Sequence, residues 1–303
     1  MIDVCLLGTG AMMPLPGRWL SSLVVRTGPH SVVFDCGEGT QIALRALGWG
    51  LRSIDAICIS HFHADHVSGL AGMLLMLANA DRTEPVTLFG PPGLRAVVEG
   101  QRRIAPFLPF ELICEELAPG AEFRIADWYG SCAAGVHHVP CLAYRLDLPR
   151  RPAFLPERAK ALGLPVELWG PLQHGTPVEW GGRVVRPEEV LGPPRRGISI
   201  AYVTDTRPVP SIGALVAGVD LLVGEGTFGD PAEQARAVET GHMTFAEAAE
   251  LAKKARVRRL WLTHFSPAMP RPLEHAAEAQ RRFPNVTIGR DGLCTTLSYE
   301  DGP

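Results

Sequence analysis

A mixed α/β fold, with helices laid over sheet, is the architecture that this 303-residue sequence predicts. Three observations carry the expectation. Short apolar or β-branched runs bounded by Gly, Pro, Asp or Ser recur along the chain. Helical patterns lie between them, and strands interleaved with helices bury their apolar faces by packing helix on sheet. Candidate metal ligands stand where several of the runs end, and the carboxyl ends of strands are where α/β sheets carry their sites.

The opening run, Ile2 to Gly10, reads as a strand entering a glycine turn. Further strands are expected at 22–26, 31–34, 56–60, 86–89 and 132–136, then at 143–148, 198–204, 221–223, 260–263 and 286–288. Helical spacing of apolar residues places helices at 40–47, 66–79, 93–104, 212–217, 244–255 and 273–283. The segment from about Pro149 to Arg196 differs. It holds nine of the 27 prolines and six glycines, its basic residues outnumber its acidic ones, and little of it has a clear period. It reads as a long excursion from the core, and such excursions in compact domains are usually functional or disordered.

Composition sets the outer limits. Hydrophobic residues make up 46% and charged residues 20% of the chain, which is enough apolar material for a large core. No stretch approaches the roughly 20 apolar residues of a membrane span. The start, Met1-Ile2-Asp3-Val4-Cys5, has an acid where a secretion signal carries basic residues, so a cytoplasmic protein is expected. Seven scattered cysteines with no CxxC pair argue for reduced thiols rather than a disulfide framework. The net charge of −3 gives no global sign of nucleic-acid binding, so any basic RNA surface must be local.

The densest chemical signal is Ser60-His61-Phe62-His63-Ala64-Asp65-His66. An apolar strand ends and four potential ligands follow within six residues. Imidazole nitrogen and carboxylate oxygen suit zinc, and accept manganese or iron as well. His61 and His63 can point the same way from an extended segment, while Asp65 and His66, opening a helix, point to a second position. His137, Asp205 and His264 each follow a strand-like run. One such residue alone is usually structural, but a shared placement supplies the count needed for two ions with a bridging carboxylate.

The pattern His61-x-His63-x-Asp65-His66 resembles the signature of the metallo-β-lactamase superfamily. A more specific likeness is to the ribonuclease Z family. It rests on Phe34-Asp35-Cys36-Gly37-Glu38-Gly39-Thr40-Gln41, on Gly8-Thr9-Gly10-Ala11 with Arg18 and Ser21-Ser22, and on His137-His138-Val139-Pro140 with Tyr144-Arg145. Asp205-Thr206-Arg207-Pro208, Gly241-His242-Met243-Thr244 and Thr263-His264 complete it, in the family's order.

The resemblance implies an αββα sandwich, two sheets flanked by helices, as a single domain over 1–303 with 150–196 as an inserted flexible arm. It implies one ion held by His61, His63 and His137, a second held by Asp65, His66 and His264, and Asp205 between them, with His138 a neighbour only. Zinc is the expected metal, manganese a possible one. Asp35 would orient ligand imidazoles. Asp65 would act on the hydrolytic water, His242 would protonate the leaving oxygen, and Glu225 would keep His242 charged. The implied reaction is endonucleolytic removal of the 3′ trailer from precursor tRNA, leaving a 3′-hydroxyl, by a homodimer whose arm grips the RNA. Three departures touch substrate contacts: the arm tip is Leu172-Gln173-His174-Gly175 without cations, Met243 stands where the family has Ser, and no arginine follows His264. A phosphodiesterase or other esterase acting on small molecules, and a catalytically weak RNA-binding relative, are therefore the alternatives.

Overall fold

The computed structural model of the protein describes residues 1–299. The described residues divide into two compact units, one formed by Met1–Leu148 with residues 198–299, the other by Pro149–Gly197.

The larger unit is built on two seven-stranded sheets. The first six strands are β1 (Ile2–Gly8), β2 (Ser22–Thr27), β3 (His30–Phe34), β4 (Ile54–Cys58), β5 (Val86–Gly90) and β6 (Leu112–Glu116). The next three are β7 (Glu122–Ile125), β8 (Trp128–Ala134) and β9 (Leu142–Arg150). A small hairpin of β10 (Val178–Trp180) and β11 (Arg183–Val185) lies in the smaller unit. The chain ends with β12 (Arg195–Val203), β13 (Leu221–Glu225), β14 (Leu260–Thr263), β15 (Val286–Ile288) and β16 (Cys294–Leu297). The first sheet runs β16-β1-β2-β3-β4-β5-β6, and the second runs β15-β14-β13-β12-β9-β8-β7. Pairing from β3 through β6 is parallel, as is pairing from β12 through β15.

Strands covered on both faces are apolar on both, whether their neighbours run parallel or antiparallel, which is why these runs read as continuous rather than alternating. In β1, Ile2, Val4 and Leu6 enter the core between the sheets, while Cys5 and Leu7 face outward. In β12, Ile200 and Tyr202 face inward, and Ala201 and Val203 outward. Outside the first sheet lie α1 (Thr40–Leu47), α2 (Ala64–Val67), α3 (Leu70–Ala78) and α4 (Leu94–Arg102). The smaller unit contains α5 (Pro156–Ala161) and α6 (Trp169–Gln173). α7 (Pro210–Leu215), α8 (Gln234–Thr240), α9 (Phe245–Lys254) and α10 (Ala276–Gln280) follow, and α7, α9 and α10 supply side chains to the core outside the second sheet. The result is the expected αββα layering. No helix among the described residues is long and apolar enough to cross a membrane.

Two expectations need correction. The helix expected over 66–79 is broken at Ser68-Gly69, because Gly69 lies against the chain after β3: a Cβ there would sit 2.1 Å from the Gly37 carbonyl oxygen. Nor are all seven cysteines reduced. Cys5 and Cys294 face each other in register across β1 and β16, with Cα atoms 4.1 Å apart, and are joined as a disulfide. Five remain as thiols.

The segment that lacked a clear period has a core of its own. Ala159, Leu164, Leu172, Val185 and Val190 are buried together, with Phe154 and Trp169 packed against them. Its hairpin turns on Gly181-Gly182, both at positive φ, the conformation that a two-residue hairpin turn demands.

Candidate metal centre

The strands deliver their ligands at one end. Segments following β4, β8, β12 and β14 bring His61, His63, His137, Asp205 and His264 together, and Asp65 and His66 join them from α2. The side chains fall into a group of His61, His63, His137 and Asp205, and a group of Asp65, His66 and His264. Within each, the donor atoms lie within 4.8 Å of one another. Asp205 faces both. Its Oδ2 is 3.6 Å from His61 Nε2 and 3.7 Å from His137 Nε2, and its Oδ1 is 3.3 Å from His66 Nε2 and 3.2 Å from His264 Nε2. Asp65 Oδ2 lies 3.4 Å from His66 Nε2 and 3.5 Å from His264 Nε2, and accepts a 2.8 Å hydrogen bond from Met12 N. His138 points to the exterior.

Hydrogen bonds on the outer side of the rings decide which nitrogens face inward. His66 Nδ1 donates to Asp35 Oδ2 at 2.7 Å. Ser60 Oγ gives its proton to Asp35 Oδ2 (2.9 Å) and so accepts from His61 Nδ1 (3.0 Å). Thr227 Oγ1 donates to Glu225 Oε2 (2.7 Å) and accepts from His264 Nδ1 (3.0 Å). His137 Nδ1 faces the Gly241 carbonyl at 3.4 Å. Four imidazoles therefore turn Nε2 lone pairs inward. His63 Nδ1 completes the first group, 3.0 Å from His61 Nε2 and 3.3 Å from His137 Nε2, while His66 Nε2 and His264 Nε2 lie 3.3 Å apart. The lone pairs of His66 Nε2 and His264 Nε2, facing each other with both Nδ1 atoms committed outward, repel unless a proton or a metal cation lies between them. Burial and the neighbouring His66 push the His61 imidazole down to about 2, so it stays an unprotonated donor. Nitrogen and carboxylate donors in this number fit divalent metal.

Asp35 is fully buried and accepts four bonds, the fourth and third being Tyr202 OH at 3.0 Å and Ser60 N at 2.7 Å. It thus reaches His66 directly and His61 through Ser60. Asp35, Asp205 and His264 all adopt positive φ (55°, 49° and 59°), a region costly for residues with a Cβ and concentrated at functional sites.

His242 and Glu225 sit beside the two groups. His242 Nδ1 is 3.3 Å from Glu225 Oε2 and 3.9 Å from Asp205 Oδ2. Burial favours the neutral ring, but the charge and hydrogen bond of Glu225 outweigh it, with Asp205 adding to them, and the imidazole is raised to about 9. Glu225 is itself buried, and accepts from Thr206 N (2.7 Å) and Met243 N (2.9 Å) as well as from Thr227. Met243, where a phosphate-binding hydroxyl was expected to be lost, is buried in the core outside the second sheet, so position 243 serves packing. Ser60 and Thr227 were not singled out by sequence. Each stands one or two residues from a singled-out residue, His61 and Glu225, and that adjacency was the available signal.

Residues 30–265 match the family model described as the Beta-lactamase superfamily domain. The fold and the site accordingly define a metal-dependent hydrolase of that superfamily. Within it, the chain is 49% identical to Ribonuclease Z of Lachnoclostridium phytofermentans over 99% of both chains. It is 40% identical to Ribonuclease Z of Clostridium acetobutylicum over 99% of this chain and all of the relative. The crystal structure of human tRNase Z, short form, superposes with a TM-score of 0.70 at 25% identity, covering 98% of this chain and 99% of that one. The protein belongs to the ribonuclease Z family.

Proposed function

We propose that the protein removes the 3′ trailer from precursor tRNA by hydrolysing one phosphodiester, leaving a 3′-hydroxyl. The observation that carries this reading is the charged His242–Glu225 pair beside a double cluster of inward-facing donors. His61, His63 and His137 would hold one divalent ion, Asp65, His66 and His264 the other, with Asp205 contacting both; zinc suits the histidine-rich set best. When bound, such ions acidify water and draw charge from a phosphate. Asp65, kept ionised by His264 and His66 against the cost of burial, would orient the attacking water by accepting a hydrogen bond from it. His242, charged near neutral pH, is placed to give a proton to the departing sugar oxygen, and Glu225 steadies that charge.

RNA specificity is drawn from the relatives, named Ribonuclease Z over essentially the whole chain. On the same reading, the insert at 150–196 is a mobile arm that grips the RNA, the working form is a homodimer, and the enzyme acts in the cytoplasm. The test is metal-loaded protein incubated with a precursor carrying a 3′ trailer, beside His242→Ala and beside bis(p-nitrophenyl) phosphate. Cleavage after the discriminator base, slowed in the variant, supports the reading. Turnover of the small ester alone would sink it in favour of a small-molecule phosphodiesterase.

A further inference from the structure

Arg207 lies two residues past Asp205, outside both ligand groups, and the reaction described above does not use it. Its side chain is largely buried, at 16% exposure, with the contacts of its guanidinium directed at the His242 turn and the first turn of α9 that follows it. Nη1 donates to the main-chain carbonyl of His242 and to Glu247 Oε2, the latter at 3.1 Å, and Nη2 donates to Glu247 Oε1. Its own backbone N–H bonds the carbonyl of Val136, the residue before His137, at 3.2 Å.

Glu247 in turn closes the start of α9. Its Oε2 accepts from both N and Oγ1 of Thr244 at 3.0 Å, and its backbone N–H returns a bond to Thr244 Oγ1 at 3.2 Å. The turn carrying His242 is thus fixed on both sides, at its carbonyl by Arg207 and at Thr244 by the carboxylate that Arg207 grips. The Gly241 backbone, at φ 72°, comes so close to the His137 ring that a Cβ would lie 2.9 Å from Nδ1. A displacement of this turn therefore changes where the His242 ring stands relative to the cluster. A planar fork with several donors can hold a carbonyl and a carboxylate at once, and a lysine ammonium cannot reproduce that geometry.

We propose that Arg207 is a positioning residue for His242, clamping the 241–244 turn to the strand end that carries Asp205. This rests on the proton-donor role given to His242 above. A misplacement of about 1 Å can cost as much as 100-fold in rate, so loosening this clamp lowers turnover without removing a donor to metal.

The test compares zinc-loaded wild type, Arg207→Gln, Arg207→Lys, His242→Ala and the double variant R207Q/H242A in single-turnover cleavage of a precursor tRNA. Metal content and long-range ¹H–¹⁵N spectra of the histidine rings are recorded on the same samples. Expected for R207Q is a single-turnover rate constant lowered about 10- to 100-fold, with the half-saturating concentration and metal content held. R207K, which keeps charge but loses the fork, falls in the same direction. R207Q/H242A should be no slower than H242A alone, within about twofold, since the two changes act on one step. The His242 ring signals should shift or broaden in R207Q while those of His61 and His63 remain. Losses that multiply in the double variant, metal loss in R207Q, wild-type speed in R207K, or unaltered His242 signals would each overturn the assignment. If wild type leaves the precursor uncut, it is the functional reading that fails, and the ring signals still decide what Arg207 holds.

Discussion

Replacing Asp35 with asparagine tests how far the centre depends on a residue that touches no substrate. Asp35 is an acceptor at both oxygens: Oδ2 receives His66, Ser60 and Tyr202, and Oδ1 receives the Ser60 amide. An amide side chain must set an N–H against one of those donors. Facing Ser60 N, it meets a group that cannot reverse. Facing His66 Nδ1, it forces the other tautomer and puts a proton on Nε2, the atom turned toward Asp205 and His264. Loss of such an outer partner weakens metal binding about 10- to 100-fold, or about 1.4–2.7 kcal/mol. The effect should be larger at the site containing His66, since His61 feels Asp35 only through Ser60. In metal-free protein, the unsatisfied donor costs about 1–3 kcal/mol of stability. Chelator competition gives the two affinities and urea denaturation gives the apo stability. Wild-type affinity at both sites in D35N would refute the orienting role.

Four further outcomes follow from the geometry. Asp205→Asn should weaken both ions together by about tenfold or more, because a single carboxylate faces both groups; selective loss of one ion would contradict this. Gly69→Ala drives a methyl into the Gly37 carbonyl and should cost about 1–3 kcal/mol in urea denaturation. With His264 at φ 59°, His264→Gly should leave metal-free protein about 1–2 kcal/mol more stable than His264→Ala, and the opposite order would deny the strain. Glu247 is held below its ordinary 4.5 by Arg207 and Thr244 against burial, so its contribution to stability is present above pH 4.5 and is lost as pH falls through the lower folded value. Thermal midpoints of wild type and Glu247→Gln should therefore converge on acidification.

Much of the fold was legible because parallel strands buried on both faces leave unbroken apolar runs. β14, buried along its whole length, falls where the sequence places it, and so do the short apolar edge strand β15 and the helix α1. The strands missed are of another kind. β6, β7 and β16 stand at the sheet edges, where one side of the ladder is open: β6 and β7 carry Glu115, Glu116, Glu122 and Arg124, and β16 has only Leu297 buried. The β10–β11 hairpin announced itself in Gly181-Gly182, a turn signal that the proline-rich surroundings masked. The break between α2 and α3 was not legible, since it arises from a contact between Gly69 and Gly37 that only folding creates.

The candidate site divides along the same line. All seven proposed ligands, with His242 and Glu225, were visible in sequence, and the chain brings them together. What fixes their direction was not visible. Asp35, Asp205 and His264 turn into left-handed backbone just past strand ends, and nothing in residue type demands this of a histidine. Asp tolerates that region better than most residues, so His264 carries the greater share of the strain. An extended continuation of β14 would send successive side chains to opposite faces, whereas a left-handed turn lets Thr263 stay in the strand ladder while His264 faces Asp205 and Asp65. Strain of this kind persists only where surrounding bonds over-determine the backbone, and here Thr227 holds the His264 ring from behind while Phe265 N bonds the Thr9 carbonyl. The same contacts that make the site costly to fold keep its donors aimed before any ion arrives.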